Sequence, residues 1–371
     1  MTQNSELFQN KRLISLDAMR GITIAAMILV NFPGNWNFVY SPLLHSDWNG
    51  LTFTDLIAPI FLYIVGVSIA YAYTKRLEKG VPKKEMYNKI ITRSIKIFAV
   101  GIFLNLMPDF DFSEIRWTGT LPRIAIVFFV CAILFLNSSW KTQVWMVAGI
   151  LVIYWLCMTL IPTPGYNEVM LEPGVNLAAW FDQKFMPGRM WQGTWDPEGI
   201  LSTFPSIATG ITGMLAGRIL LSKNLSRHEI ALYLMTGGFI IAIAGYFWGL
   251  VFPVNENIWT SSFVLVTSGF ASLLLGAVYF IVDILGYTYG TKPGIVFGAN
   301  AITVYVLGDV LALLFYGLKI GGNSLNEHFF NFFTSIGLGE KFTSMTYALL
   351  FVCVIYIPAI ILYRKRIFIK L

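Results

Sequence analysis

Residues 45–50 read "HSDWNG" and set His45, Asp47, Trp48 and Asn49 just ahead of an apolar run that opens at Asp55. Histidine is the side chain whose ordinary ionisation lies closest to neutral pH, so an imidazole among acids is equipped to take up and return protons. Asn31 closes the preceding apolar run, which brings an amide to the same mouth. Arg123, in "GTLPRIAIVFF" (119–129), lies near the same end of a later run and is expected to pair with one of these acids. Such a set supports general acid–base work. The plain alternative is a loop histidine bonded to backbone. Against it stand the flanking acid and indole and the scarcity of competing titratable groups. Of the other two histidines, His228 follows "NLSR" at a helix start that Ser226 would cap. His328, in "NEHFFNFF" (326–333), is the reserve candidate.

Other polar residues sit where apolar ones are expected, and ionisable groups at membrane depth are costly and mark function. In "SLDAMRG" (15–21), Asp17 and Arg20 are three apart and can pair across one helical turn, with Ser15 or Asp17 capping the helix. In "WDPEGILSTFPSIATGITGMLAG" (195–217), Asp196-Pro197 forms a turn, Glu198 stands at a helix mouth and Pro205 is expected to kink the span. Asn300 and Asp309 interrupt another apolar run, and Asn300 needs a cavity or a partner.

The elements that position these residues follow from composition. Of 371 residues 56% are hydrophobic and 12% charged, half the roughly 25% charged residues of a soluble globular protein. Mean hydropathy is +0.66. An all-α polytopic membrane bundle is the fold class these values predict. Runs near 20 residues cross the hydrocarbon core as helices. They fall at 21–46, 56–74, 94–108, 124–140, 142–167, 199–217, 230–255, 257–282, 293–318 and 342–363, about ten transmembrane helices. Cys131, Cys157 and Cys353 all lie in apolar runs as small hydrophobes, not a disulfide framework. Three histidines and no Cys-x-x-Cys argue for no metal.

The net charge of +6 reflects topology and not a nucleic-acid partner. Lys11, Arg12 and Arg20, the loop 74–93, Lys141, Lys223, Arg227, Lys292 and the tail 364–370 gather on one side. The opposite loops hold only Arg116, Lys184, Arg189, Lys319 and Lys341 as their bases. The base-rich side faces the cytoplasm by the positive-inside rule, with both termini there. Residues 1–12 then form a cytoplasmic tail, 21–31 a retained helix and not a signal peptide, and 162–198 the longest extracytoplasmic loop. That loop carries Trp180, Trp191 and Trp195, as interfacial anchors or as stacking surfaces for sugar rings.

The segments "RLISLDAMRGITIAAMILVNF", "HSDWNGLTFTDLIAPIFLYIVG", "GTLPRIAIVFFV", "WDPEGILSTFPSIATGITGMLAGRIL", "PVNENIWTSSFVL" and "PGIVFGANAITVYVLG" occur in an order and spacing that resemble the heparan-alpha-glucosaminide N-acetyltransferase family in its bacterial form. The likeness runs over almost the whole chain from Arg12. It implies a single transmembrane acyltransferase domain over 1–371 that passes acetyl from cytoplasmic acetyl-CoA to an amino sugar, or an amino sugar on a glycan, across the membrane. It implies that His45 matches the family's active-site histidine and Asn31 its asparagine partner, and it hints at a homodimer. The bacterial cytoplasmic membrane is the implied location. Arg20, Arg123 and Asn300 are candidates for holding acetyl-CoA, with Lys89 and Arg93 able to meet its phosphates. Asp47, Trp48, Asn49, Asp55, Asp196 and Glu198 are candidates for the acceptor.

His45 would act as general base toward the attacking amine or hydroxyl, or would itself accept the acetyl group; the residues do not choose between one step and two. Two other functions fit the same residues. One is O-acetylation of an envelope polysaccharide. The other is transport of an amino sugar or small solute past Asn300 and Asp309, although no repeated half of the transporter kind is visible.

Overall fold

Apolar runs bounded by caps, prolines and glycines give thirteen helices in the computed structural model, which describes residues 13–107 and 110–369. They are α1 (Ile14–Asn31), α2 (Phe53–Glu78), α3 (Lys83–Leu106), α4 (Thr120–Asn137), α5 (Trp140–Leu160), α6 (Leu177–Phe185), α7 (Ile200–Leu220), α8 (Arg227–Trp248), α9 (Ser261–Val278), α10 (Thr291–Ala299), α11 (Ala301–Gly317), α12 (Leu325–Ser335) and α13 (Glu340–Arg364). A π-helical turn, Tyr279–Ile284, prolongs α9, and a small hairpin pairs Lys319–Ile320 with Asn323–Ser324. The protein is an all-α membrane bundle. The tail 1–12 with Lys11 and Arg12, the end of the expected span 94–108, and Lys370 lie outside the described residues.

Among the described residues eight helices are long and apolar enough to cross a membrane, or nine if one bent pair counts as a span. Ten is thus corrected at two places. The expected span 94–108 is the second half of α3, whose first half carries Lys83, Lys84, Glu85, Lys89 and Arg93 and breaks the apolar run. The expected span 293–318 is two helices, α10 and α11, meeting at 85°. Asn300 stands at the break with φ −132°, and its amide is used on both sides: Nδ2 donates to Ile367 O (3.0 Å) and Oδ1 accepts from Ile369 N (2.8 Å). The partner that Asn300 needs is therefore the C-terminal segment.

Small residues bring backbones together where the bundle is tightest. Gly21 of α1 lies against Gly294 and Gly298 of α10, and Gly66 of α2 against Gly210 of α7; a Cβ at Gly21, Gly66, Gly294 or Gly298 would run into main chain. Gly213 sits on the Tyr63 carbonyl in the same way. The main core cluster draws on α1, α2, α4, α7, α11 and α13, while a second joins α1 and α2 to α7, α8 and α9. Outward-facing positions of α5 and α8 are apolar and exposed, Trp145 and Ile240 among them, as lipid-facing side chains should be. Pro205 lies in the second turn of α7, which continues through it.

Polar contacts fix the helix ends. At the base-rich end Asp17 and Arg20 pair (2.8 Å), and Arg20 Nε donates to Gly298 O (2.8 Å). The cap of α1 is not Ser15 or Asp17. The Asp283 carboxylate, at the end of the π-helical turn, accepts from Ile14 N (3.3 Å) and Ser15 N (3.1 Å), a long-range contact that spacing could not show. Ser226 does cap α8, with Glu229 completing a capping box. The segment that follows α13 returns to this end, where Asn300 holds it.

Close backbone packing makes a contrast testable. Gly213→Ala forces a Cβ against Tyr63 and should cost ~1–3 kcal/mol by overpacking, a clear drop in the melting temperature of the detergent-purified protein. Gly237→Ala meets nothing within 4 Å and should leave that temperature unchanged or raise it slightly through better helix propensity.

Candidate active site

Thr52 and Asp55 close the start of α2 with a capping box: Thr52 N donates to Asp55 Oδ2 (2.8 Å) and Asp55 N to Thr52 Oγ1 (3.4 Å). The cap leaves Asp55 Oδ1 facing the loop, where it meets His45 Nδ1 at 2.8 Å. A third group arrives from the far side of the chain. Glu256, in the loop between α8 and α9, places Oε2 2.6 Å from the same Nδ1. Asp55 is fully buried, the Glu256 side chain is 13% exposed and that of His45 57%.

The Glu256 loop is tied to the His45 segment on both sides. Gly50 N donates to Val254 O (2.8 Å), and Asn255 Nδ2 donates to Asn49 Oδ1 (3.1 Å). Asn255 also accepts from Ile258 N (3.1 Å) and donates its own N–H to Thr260 Oγ1 (3.0 Å). Trp259 closes this turn in the left-handed region, φ +51°, although its indole is bulky and only 3% exposed. Such a conformation costs on the order of 1–3 kcal/mol and persists where surrounding contacts over-determine it.

Two carboxylates on one nitrogen fix the electrostatics. Burial alone would lower the ionisation of His45, but the hydrogen bonds and charges of Asp55 and Glu256 outweigh it and push the imidazole up to about 10. Burial raises Glu256 to about 8, against the opposing pull of His45. The Asp55 carboxylate can only accept, so Nδ1 carries a proton toward it, while Glu256, raised to about 8, holds a proton of its own near neutral pH; no hydrogen bond among the described residues engages Nε2. The arrangement resembles the buried acid of a catalytic triad, which holds an imidazole so that its other nitrogen does the chemistry. One imidazole nitrogen and two carboxylate oxygens within 4.8 Å of one another also form a donor set of the kind divalent cations use. A proton on His45 and another on Glu256 together offset the two acids near neutral pH.

The other expected residues divide. Trp48 donates to Leu171 O (3.0 Å) and meets Trp195 edge-on at 5.2 Å, so it braces the long loop against the His45 segment. Asp47 is exposed. Asn31 is the last residue of α1, and no hydrogen bond among the described residues joins it to His45. Asp196 and Glu198 form a separate cluster around Arg116, a residue the sequence marked only as one of the few outer bases. Asp196 is gripped by both Nε (2.8 Å) and Nη2 (2.7 Å), and the same Nη2 reaches Glu198 at 2.7 Å. Thr118 Oγ1 and Trp191 N also donate to Asp196, and the indole of Trp191 covers the guanidinium at 5.0 Å.

Arg123 corrects an expectation. It pairs with no acid of the His45 group. Buried at 4% exposure, it donates to Pro197 O (2.8 Å) and to Ser202 Oγ, and it lies 4.9 Å from the Trp259 ring. With Asp196 and Glu198 already held by Arg116, α4 brings Arg123 to a neutral carbonyl and hydroxyl. Arg20 and Asn300 stand at the opposite, base-rich end. His328 accepts a structural task, its Nε2 lying 2.6 Å from Ile320 O in the small hairpin. Glu256 was legible only as an acid in "VNENIW", between two apolar runs; nothing local ties it to a histidine 211 residues away.

The geometry meets an independent finding. A sequence model described as "Heparan-alpha-glucosaminide N-acetyltransferase, catalytic" matches residues 12–246. The chain belongs to the heparan-alpha-glucosaminide N-acetyltransferase family. Two relatives of that name are each 29% identical: the Homo sapiens protein, over 97% of this chain and 60% of its own length, and the Mus musculus protein, over 81% of this chain and 54% of its own. This family member thus spans little more than half the length of those relatives. The matched region carries His45, Asp55, Arg116, Arg123 and Asp196, and Glu256 lies ten residues beyond its end.

The sign of the pH dependence follows. His45 and Glu256 both hold protons in the folded state to higher pH than in an unfolded chain, so their contribution to stability is present at mildly acidic pH. It is lost as pH rises through about 8 for Glu256 and about 10 for His45. The melting temperature in detergent should fall from pH 6 to pH 10, and Glu256→Gln should flatten part of that fall. A pH-independent melting temperature would show that the trio holds no extra proton.

Proposed function

We propose that the protein is a membrane acetyltransferase that moves acetyl from cytoplasmic acetyl-CoA to the amine of a glucosamine-like sugar on the extracytoplasmic side of a bacterial cytoplasmic membrane. The observation that carries this reading is the imidazole of His45, held through Nδ1 by Asp55 and Glu256 with Nε2 unengaged, in a chain whose family relatives are named as N-acetyltransferases. The base-rich end, with Arg20, Lys89 and Arg93, suits the polyanionic nucleotide of the donor. The thin pantetheine arm is what would reach the opposite end, where His45 lies.

In the step we assign, the acceptor nitrogen attacks the thioester carbonyl carbon, the carbon–sulfur bond breaks, and the thiolate leaves with its bonding pair. Neutral His45 takes the ammonium proton through Nε2 and returns it to the sulfur, so N-acetyl sugar and free thiol are the products. General-base help of this kind commonly contributes about 10²–10⁴-fold. Asn31, at the same end of the bundle, is assigned the hydrogen bond to the oxyanion, a contribution of roughly 10²–10³-fold. Transfer first to His45 and then to the amine uses the same groups. No metal is required in this reading, because protons held on His45 and Glu256 offset the charge of the two acids.

An imidazole held near 10 is mostly protonated at neutral pH, which makes the base available as pH rises. Acetyl transfer to glucosamine should therefore accelerate between pH 7 and 10, measured as thiol release by the purified protein. Acetylation of amine-free sugars at the same rate would favour the O-acetyltransferase, and solute flux into vesicles without thiol release would favour the transporter. His45→Ala should abolish transfer while CoA binding, read by calorimetry, persists. Residual turnover in His45→Ala would remove His45 from the chemistry.

A further inference from the structure

The turn that delivers Glu256 contains the strained residue described above, and what holds that residue is unusual in kind. Trp259 N donates to Glu256 O (3.0 Å), and Thr260 N donates to Asn255 O (3.0 Å), so the backbone folds back on the glutamate. From this turn the indole runs into the bundle. Its Nε1 donates to Thr209 Oγ1 of α7 (3.1 Å), its edge meets Phe263 of α9 at 5.1 Å, and its face covers the Arg123 guanidinium of α4 at 4.9 Å. Arg123 in turn is buried, donates to Pro197 O and Ser202 Oγ, and has an Nε with no hydrogen-bond partner.

A solvent-facing loop acid would ordinarily sample many rotamers and rarely stay on a histidine. Here the acid sits three residues from an anchor locked at four points, in a backbone conformation that a residue with a Cβ seldom adopts unless it is held there. We infer that Trp259 is a positioning residue: wedged between Arg123, Thr209 and Phe263, it sets the 255–260 turn so that the Glu256 carboxylate stays on His45 Nδ1. Arg123 serves the same end from beneath, as the cationic floor on which the indole rests. This inference rests on the functional reading only for its purpose. The coupling between Trp259 and His45 is a property of the resting protein.

The chain has three histidines, so the His45 ring can be followed directly by NMR of histidine-labelled protein in detergent, with His228→Gln and His328→Gln assigning the other two signals. His45 is faced by Asp55 from α2 and by Glu256 from the 249–260 loop, with Asp47 two residues away. Removing one close carboxylate lowers such a midpoint by about one to three pH units. Glu256→Gln should do so, and Trp259→Ala should lower the midpoint by about one unit or more. Trp259→Phe, which keeps a ring over Arg123, should restore most of the wild-type value. In the Glu256→Gln background Trp259→Ala should add almost nothing, as coupled sites behave.

A Trp259→Ala protein that folds and keeps the wild-type His45 midpoint overturns the inference. If Trp259→Ala does not fold, Thr209→Val removes only the indole's acceptor. It must then move the midpoint in the same direction, and an unmoved midpoint again overturns it. None of these readings needs an acyl donor. Undiminished transfer by His45→Ala would sink the acetyltransferase assignment of that ring and leave the Trp259 result standing.

Discussion

Two acids converge on one imidazole in a crowded corner of this membrane protein, and protons held among the three groups make that tolerable. Asp55 is buried by the start of α2 and Glu256 by its own loop, and their oxygens converge on one nitrogen of His45. The cost of holding unpaired charge out of water is large. Those protons remove it, and much of the outer end is arranged so that they can. The capping box that starts α2 also aims Asp55. The Asn49–Asn255 and Gly50–Val254 bonds lash two distant loops together. The tryptophans at 48 and 195 brace the long loop against the same segment. The His45 corner is where a helix cap, a loop clamp and a charge balance coincide.

A second charge balance lies beside the first and is independent of it. Arg116 holds Asp196 and Glu198 much as His45 holds its two acids, but with a guanidinium that stays charged over the whole range in which an imidazole can lose its proton. The contrast separates scaffold from chemistry. An arginine between two acids fixes the entrance of α7, whereas an imidazole between two acids can give up a proton. Arg123, a buried cation of this region, meets a carbonyl, a hydroxyl and an indole face, which places it under the His45 corner and not in its ion pairs.

Where charge and period repeat along the chain, the sequence was readable. The apolar runs located seven of the ten expected spans, while the first helix, Ile14–Asn31, is set back from the expected 21–46; the Asp17–Arg20 spacing foretold its ion pair, and Ser226 foretold its cap. His45 stood out because an acid and an indole flanked it, and Asp55 because a carboxylate opened a span. Long-range partners left no such trace. Asp283 caps a helix 268 residues away, and Glu256 reaches His45 across 211. The 85° break at Asn300 was invisible because the residues on either side are equally apolar. Its cause is the tail that the asparagine grips, which is a fact of tertiary structure.

The glycine contacts carry a mechanical consequence. Where α1 meets α10, and where α2 meets α7, main chain touches main chain, and rigid rods in such contact neither slide nor part without losing the whole seam. Any channel that opens for a passing chain of atoms is therefore diverted to a softer joint. The joint between α1, α2, α4 and α11 is instead lined by side chains, Met27, Phe61, Thr120 and Tyr305 among them. The same stiffness that keeps the ends in register thus decides which flank of the bundle is able to breathe.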